Sequence, residues 1–261
     1  MDIDQSSLSE DQLKRKDAPI QSVARALEIL ECFYNCPELR LTEISKRMGL
    51  NKSTVYGIVR TLEAYDFLSQ NLDSGKYELG MSIFRLGNNI ESSLRALARI
   101  SLGTLVQEFG ETANLSVRVG DNNMFLEKLE SPFSMRICTS PGQMFPLYLT
   151  AMGKCMLAFL PDDEVKGILS RTSYVQYTKN SLMQPEEVQK ELKVIRSYGY
   201  AVDNEEREFG LVCVAAPIFN KQGEVIAALS VSGPTQRMPK DKVDKVQMML
   251  RQEAAKIQQA I

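Results

Sequence analysis

Two serines two residues apart close an apolar run, Val225-Ile226-Ala227-Ala228-Leu229-Ser230-Val231-Ser232. On a strand such residues share a face, so both hydroxyls point the same way at the end of a buried strand. Buried hydroxyls need partners. These could donate to a bound carboxylate or carbonyl, or satisfy nearby backbone groups, and the residues alone favour the second. Leu211 and Cys213 share a strand face in the same manner. A thiol without a histidine base is a poor nucleophile near neutral pH, so Cys213 reads as a small wall residue of a pocket or core. Asp203-Asn204-Glu205-Glu206 follows a short predicted strand and reads as a solvated acidic turn, with the alternative that one carboxylate accepts from a ligand hydroxyl. Gly153-Lys154 invites a phosphate-loop reading and fails it. That motif requires Gly at 148, where Tyr148 stands, and Ser or Thr at 155, where Cys155 stands. Lys154 reads as a plain helix residue.

The chain has no histidine, which excludes Ser-His-Asp, Cys-His and HExxH chemistry and removes the commonest general base. Carboxylate- or lysine-based catalysis stays possible. The cysteines are an odd, scattered set of 5, fitting free thiols in a reducing cytosol better than a disulfide frame. Only Cys32 and Cys36 are close, so no metal site is expected, and no cofactor. No apolar run approaches the roughly 18 residues of a membrane span and no signal peptide opens the chain, so cytoplasm is the expected compartment and no membrane partner is expected.

These groups need elements to hold them. The 261 residues accommodate one large domain or two modest ones, each with a real core. The net charge of −2 hides an uneven distribution: nine basic residues oppose five acidic ones between Lys14 and Arg60. Residues 1–18 are polar and read as a mobile arm whose Lys14-Arg15-Lys16 could touch phosphate. Ser22 is expected to cap a first helix (Val23, Ala26, Leu27, Leu30, Phe33) that Pro37 closes, and Thr42 a short second one carrying Lys46 and Arg47 outward. Gly49 then supplies a turn and Asn51 an N-cap. Val55, Ile58, Val59, Leu62 and Tyr65 follow at helical spacing as one buried face. The opposite face carries Ser53, Gly57 and Arg60, flanked by Tyr56 and Thr61, and is short and hydrogen-bonding, as a helix in the major groove requires. By periodicity alone a solvated amphipathic helix fits equally well. Strands around Asp73-Ser74-Gly75 make a β-hairpin. Three helices and a hairpin are a winged helix, with Lys76 as the wing's available cation.

After a broadly helical stretch from Met81 to Phe109 the period changes. A hairpin spans Ala113–Leu129, Pro141-Gly142 and Pro146 punctuate a loop, and short helices cover Gly153–Leu160 and Glu164–Ser170. A longer helix opens at Pro185 and ends at Tyr198 with Gly199 as its cap. Strands at Leu211–Ala216 and Val225–Val231 and a last amphipathic helix complete the chain. Mixed helices and a mainly antiparallel sheet give the class α+β.

The chain resembles the IclR family of bacterial transcription regulators over nearly its full length. The N-terminal resemblance lies in Ser22–Leu30, Leu41-Thr42-Glu43-Ile44 and Gly49–Val55. The C-terminal one lies in Pro146-Leu147-Tyr148, Gly153-Lys154, a signature from Gly199 through Asp203, Glu206, Cys213 and Ala215-Ala216-Pro217 to Asn220, and Ser230–Pro234. It implies an N-terminal winged helix-turn-helix (residues 19–80 after the arm), a linker helix (81–99) and a GAF-like effector-binding domain (100–261). It further implies homodimers or homotetramers on a palindromic double-stranded operator, a repressor rather than an activator, and a small carboxylic-acid effector. The effector's carboxylate would lie on the backbone of Ala151 and Met152 with Ser230 and Ser232, while Asp203 and Cys213 line the pocket and Phe145 and Leu211 form its apolar wall. Base reading falls to Ser53, Thr54, Tyr56 and Arg60 and phosphate binding to Lys52 and Lys76. Relatives usually place Arg where this chain has Gly57 and often Pro where it has Asn51. Pro146-Leu147-Tyr148 and Asp203–Glu206 are similar to regulators of sugar-acid catabolism, and also to those of keto-acid and aromatic pathways. The rival expectations are an enzyme or sensor acting on a small acid, and a winged helix used for protein contacts.

Overall fold

The computed structural model describes residues 19–34, 36–87 and 93–261; the expected arm, with Lys14-Arg15-Lys16, lies outside them. The chain divides into two compact units between Glu91 and Ser92.

Unit 1 contains α1 (Gln21–Glu31), α2 (Leu41–Met48), α3 (Lys52–Ala64), the hairpin β1 (Leu68–Gln70) and β2 (Tyr77–Leu79), and α4 (Met81–Gly87). Its core is Ile29, Phe33, Leu39, Ile44, Val55, Val59, Leu68 and Tyr77. Gly49 takes φ +63 between α2 and α3, a conformation glycine adopts without a Cβ penalty. The Asn51 side chain accepts the Thr54 amide at 2.9 Å and so caps α3. The other two caps differ from expectation. Helix α1 starts after Ile20, whose backbone is extended, and no side chain caps it, so Ser22 lies inside the first turn. Helix α2 starts after Arg40, whose amide donates to Glu43 Oε2 at 2.6 Å. The glutamate does the work expected of Thr42. Tyr65 is not on the buried face but 70% exposed, because α3 ends at Ala64 and the backbone leaves helical geometry at Tyr65. The hairpin pairs Leu68 with Leu79 and turns through Gly75 at φ +66.

Unit 2 runs α5 (Ser93–Phe109), β3 (Thr112–Val119), β4 (Asn122–Leu129), β5 (Met144–Pro146), a 3-10 turn (Leu147–Leu149), α6 (Ala151–Ala158), α7 (Asp162–Arg171), α8 (Pro185–Tyr198), β6 (Ala201–Asn204), β7 (Leu211–Phe219), β8 (Val225–Pro234) and α9 (Lys240–Ala260). The six strands form one sheet in the order β5-β4-β3-β8-β7-β6, antiparallel at every pairing. Strand alternation divides the core. Val214, Ala216, Leu229 and Val231 face α5 and α9, whereas Ala215 and Ala228 face α6, α7 and α8. The fold is therefore α+β, a sheet between two helical layers. Pro146 belongs to strand β5 rather than a loop; β5 is an edge strand, where a residue without an N–H does no harm. Gly199 ends α8 at φ +76 as expected. Gly153 is required by contact: a Cβ there would sit 2.1 Å from the Leu147 carbonyl oxygen, so α6 is seated directly on the 3-10 turn.

Candidate functional site

In unit 2 a partly open cavity of about 20 Å³ lies against the α6 side of the sheet. Strand register builds one wall. Asp203 pairs with Cys213, and Cys213 with Ser232, so the three form a row across β6, β7 and β8. Leu211 and Ser230 lie two residues along, on the same face, and all five line the cavity. Ser230 and Ser232 are 1% and 4% exposed. The Ser230 hydroxyl finds a side chain: Asn114 Nδ2 donates to Ser230 Oγ at 3.4 Å, while the Ser232 hydroxyl lies beside Cys213, its partner in the strand register. Thr139 Oγ1 donates to Asn114 Oδ1 at 2.8 Å, which orients the amide toward Ser230. With one Ser230 lone pair taken by Asn114, its proton remains to be donated.

The opposite wall is the start of α6. Thr150 Oγ1 accepts the Gly153 amide at 3.0 Å and donates to Asn123 Oδ1 at 2.9 Å, while the Thr150 carbonyl accepts the Lys154 amide. The amides of Ala151 and Met152, which both line the cavity, are left without an intrahelical acceptor. Two amides at a helix N-terminus facing two serine hydroxyls form a site for an anion. Burial, reinforced by the nearby Asp203 charge, pushes the Cys213 thiol above its ordinary range. It is a wall residue and not a nucleophile.

Seven of the eight residues expected to hold the effector line this cavity; Phe145 does not. It stands one layer back, edge-on to Phe125 with ring centroids 5.9 Å apart, and Phe125 supplies the aromatic wall. Ile137, Thr139, Thr150 and Arg207 also line the cavity and were not anticipated. Only Thr150 carries a local signal, a hydroxyl one residue before a helix. The Arg207 guanidinium stacks 3.9 Å from the centroid of the Phe145 ring.

Asp203-Asn204-Glu205-Glu206 is not a solvated turn. Asp203 is 2% and Glu206 9% exposed, and Asp203 lies within β6 rather than after it. The cause is Lys154, which is 0% exposed. Its ammonium donates to Glu206 Oε1 at 2.5 Å, the Val202 carbonyl at 3.2 Å and Glu191 Oε1 at 3.3 Å. Asp203 Oδ1 accepts the Glu206 amide at 2.9 Å. Burial alone would lower the Lys154 pKa, but attraction to Glu206 and Glu191 outweighs it and holds the ammonium above its usual range. Burial raises Asp203, against the pull of Lys154. It pushes Glu206 up to about 7, with Lys154 opposing and Asp203 reinforcing. One cation and two buried carboxylates balance best when one acid keeps its proton. The cluster ties α6 and α8 to Asp203 on β6 and to the turn after it that carries Glu206 and Arg207. Among the described residues no group of acidic, cysteine or histidine side chains is arranged to hold a metal ion.

In unit 1, α3 exposes Lys52, Ser53, Tyr56, Gly57 and Arg60, while Thr54 is half-buried. Arg60 pairs with Glu63 at 2.7 Å. Lys76 is not an unengaged cation: it pairs with Glu38 at 3.1 Å. Lys52 makes no ion pair among the described residues and lies in the first turn of the helix.

The family model described as "Bacterial transcriptional regulator IclR C-terminal" matches residues 90–259, and the "IclR helix-turn-helix domain" matches residues 22–72. The HTH-type transcriptional regulator XynR of Escherichia coli (strain K12) is 35% identical over 245 residues, covering 93% of this chain and 97% of that protein. The HTH-type transcriptional repressor AllR of the same strain is 30% identical over 244 residues, covering 92% and 90%. The crystal structure of an IclR homolog complexed with 4-hydroxybenzoate, from Microbacterium hydrocarbonoxydans, shares the fold at TM-score 0.82 and 24% identity, covering 91% of this chain and 98% of that one. No helix among the described residues is long and apolar enough to cross a membrane. With a capped reading helix in one unit, an anion-ready cavity in the other and both family models matched in order, the chain belongs to the IclR family and is a DNA-binding transcription regulator, not an enzyme.

Proposed function

We propose that the protein is a repressor that acts in the cytoplasm on a catabolic operon and is controlled by a small organic acid, of the sugar-acid or keto-acid kind, seated in the unit 2 cavity. The observation that carries this reading is the convergence of Ala151 and Met152, at the start of a helix, with Ser230 and Ser232 on one cavity. The acid's carboxylate accepts from those four groups, Asp203 accepts from a hydroxyl further along the ligand, and Leu211, Cys213 and Phe125 enclose its apolar part. The name of AllR supports repression, and the 4-hydroxybenzoate complex supports a carboxylic acid as effector.

On the DNA side, Ser53, Thr54, Tyr56 and Arg60 read base edges and Lys52 holds phosphate, with Gly57 letting the backbone approach. Lys76 reaches phosphate by exchanging its pairing with Glu38. Two copies on a palindrome fit this arrangement. Ile20, just before α1, and Val23 and Leu27 on it are 60%, 53% and 58% exposed and support a contact between copies. An acid that prefers one arrangement of the effector units shifts the spacing of the two reading helices.

A thermal-shift screen of small carboxylic acids tests the reading. A ligand at 100-fold excess over its Kd stabilises by about 2.7 kcal/mol. Ser230→Ala and Ser232→Ala should each weaken the best ligand about tenfold. Wild-type affinity in both variants would remove the serines from the site.

A further inference from the structure

The carboxylate site described above does not use every charge around the cavity. Arg207 is the one cation among the residues that line it. Its guanidinium makes no ion pair and no hydrogen bond among the described residues, and it is half-buried against the Phe145 ring at 3.9 Å. The other charged lining residue, Asp203, has one oxygen engaged: its Oδ1 accepts the Glu206 amide at 2.9 Å, and both the Lys154 ammonium and the Arg207 guanidinium attract it. A monocarboxylate on the Ala151 and Met152 amides has its lone pairs met by the helix terminus and the two serines without Arg207. It leaves Arg207 with no anion in hydrogen-bonding contact, since Asp203 attracts it without pairing directly. A partly desolvated guanidinium is a costly group unless an anion meets it, and its fork matches a carboxylate or phosphate two bonds at a time.

The turn that carries Arg207 is also fixed in place. Glu205 sits at φ +58 and its carboxylate accepts the Gly210 amide at 2.8 Å, while Lys154 anchors Glu206 at 2.5 Å. Arg207 is thus presented from a rigid base, with only its own side chain left to move. A cavity of about 20 Å³ holds little more than one water, so an effector enters only when a lining group withdraws. Arg207, held by a ring face and by attraction to Asp203 but by no hydrogen bond of its guanidinium, is the polar lining side chain with the least to break.

We propose that Arg207 is the specificity-determining residue of the pocket, swinging off Phe145 to pair with a second anionic group, so that the effector is a small acid charged at both ends. This inference rests on the carboxylate site proposed above and adds to it the charge of the far end. A second carboxylate and a phosphate share the required chemistry.

Calorimetric titration of the full chain at fixed ionic strength tests it with matched pairs: butyrate against succinate for the carboxylate, and glycolate against phosphoglycolate for the phosphate. The dianion of at least one pair should bind about tenfold or more tighter than its monoanion, the range of a charge-assisted hydrogen bond. Arg207→Gln should abolish that preference by weakening the dianion far more than the monoanion, while Arg207→Lys keeps part of it. Equal binding of monoanion and dianion by the wild type overturns this inference and leaves the carboxylate site standing. Retention of the preference in Arg207→Gln overturns it as well. If none of the four compounds binds the wild type, the carboxylate site falls and this inference with it.

Discussion

Replacing Gly57 separates what the reading helix needs for folding from what it needs for DNA. Gly57 lies in the middle of α3 and is exposed. A Cβ built on it meets nothing within 4 Å, and its φ is not in the left-handed region. Alanine should therefore be accepted without strain and should stabilise the helix by about 1 kcal/mol, the ordinary gain over glycine in a helix interior. In a unit of this size, that raises the midpoint of the unit 1 transition by roughly 4–8 °C. Gly57→Arg should be at least neutral for folding and adds a cation to the face that the proposed function turns toward the groove. Each new phosphate contact should steepen the log–log salt dependence of DNA affinity by about 0.9. Differential scanning fluorimetry reads the first effect. Fluorescence anisotropy over a salt series, on a fragment selected from random DNA by the wild type, reads the second. A Gly57→Ala protein that melts lower would refute the open surface at this position. A Gly57→Arg protein with unchanged salt slope and sequence preference would refute the assignment of this face to DNA.

Three other outcomes follow from unit 2. Lys154→Met strips the only ammonium from two buried carboxylates and should destabilise the unit by about 3–5 kcal/mol, read by urea unfolding; a loss under 1 kcal/mol would mean the acids are not buried as described. Glu206, raised by burial from 4.5 to about 7, stabilises the fold only while it is protonated there. Its contribution is full below about 4.5 and lost as pH rises through about 7. Stability of the wild type relative to Glu206→Gln should therefore fall between pH 5 and 8, and a flat difference would contradict the raised pKa. Gly153→Ala drives a methyl to 2.1 Å from the Leu147 carbonyl and should cost about 3 kcal/mol or more, with a correspondingly lowered melting temperature; a neutral effect would show that α6 can lift off the 3-10 turn.

What the sequence made legible was local or periodic. Asn51 and Gly199 announce their caps because the capping bond reaches only a few residues. Ser230 and Ser232 announce a shared face because strands alternate. Choosing between the two readings of those hydroxyls needed their neighbours, Asn114 and Cys213, which no spacing within β8 reveals. Lys154 was opaque for a deeper reason. A lysine on a short helix looks solvated, and its partner Glu206 is on another element, joined to it only by the tertiary fold. The same distance hid the Lys76–Glu38 pair. Arg207 escaped notice because a charged turn usually faces water, and nothing local says that this one folds over a cavity. Tyr65 failed in the opposite way: periodicity carried on one residue past the point where the helix ended.

The order of the strands has a consequence for how the protein is made. Thr112 on β3 pairs with Ser232 on β8, so the first strand of unit 2 leaves the ribosome long before the partner that completes its place in the sheet. Until β8 is synthesised, β3 has only β4 beside it, and its other edge is open to whatever strand comes near. Ser230 and Ser232 arrive on that last strand. An unfinished chain therefore lacks the cavity proposed for the effector, while unit 1, translated first, already has its reading helix and its β1–β2 hairpin. During synthesis the reading helix is complete before the cavity proposed for the effector.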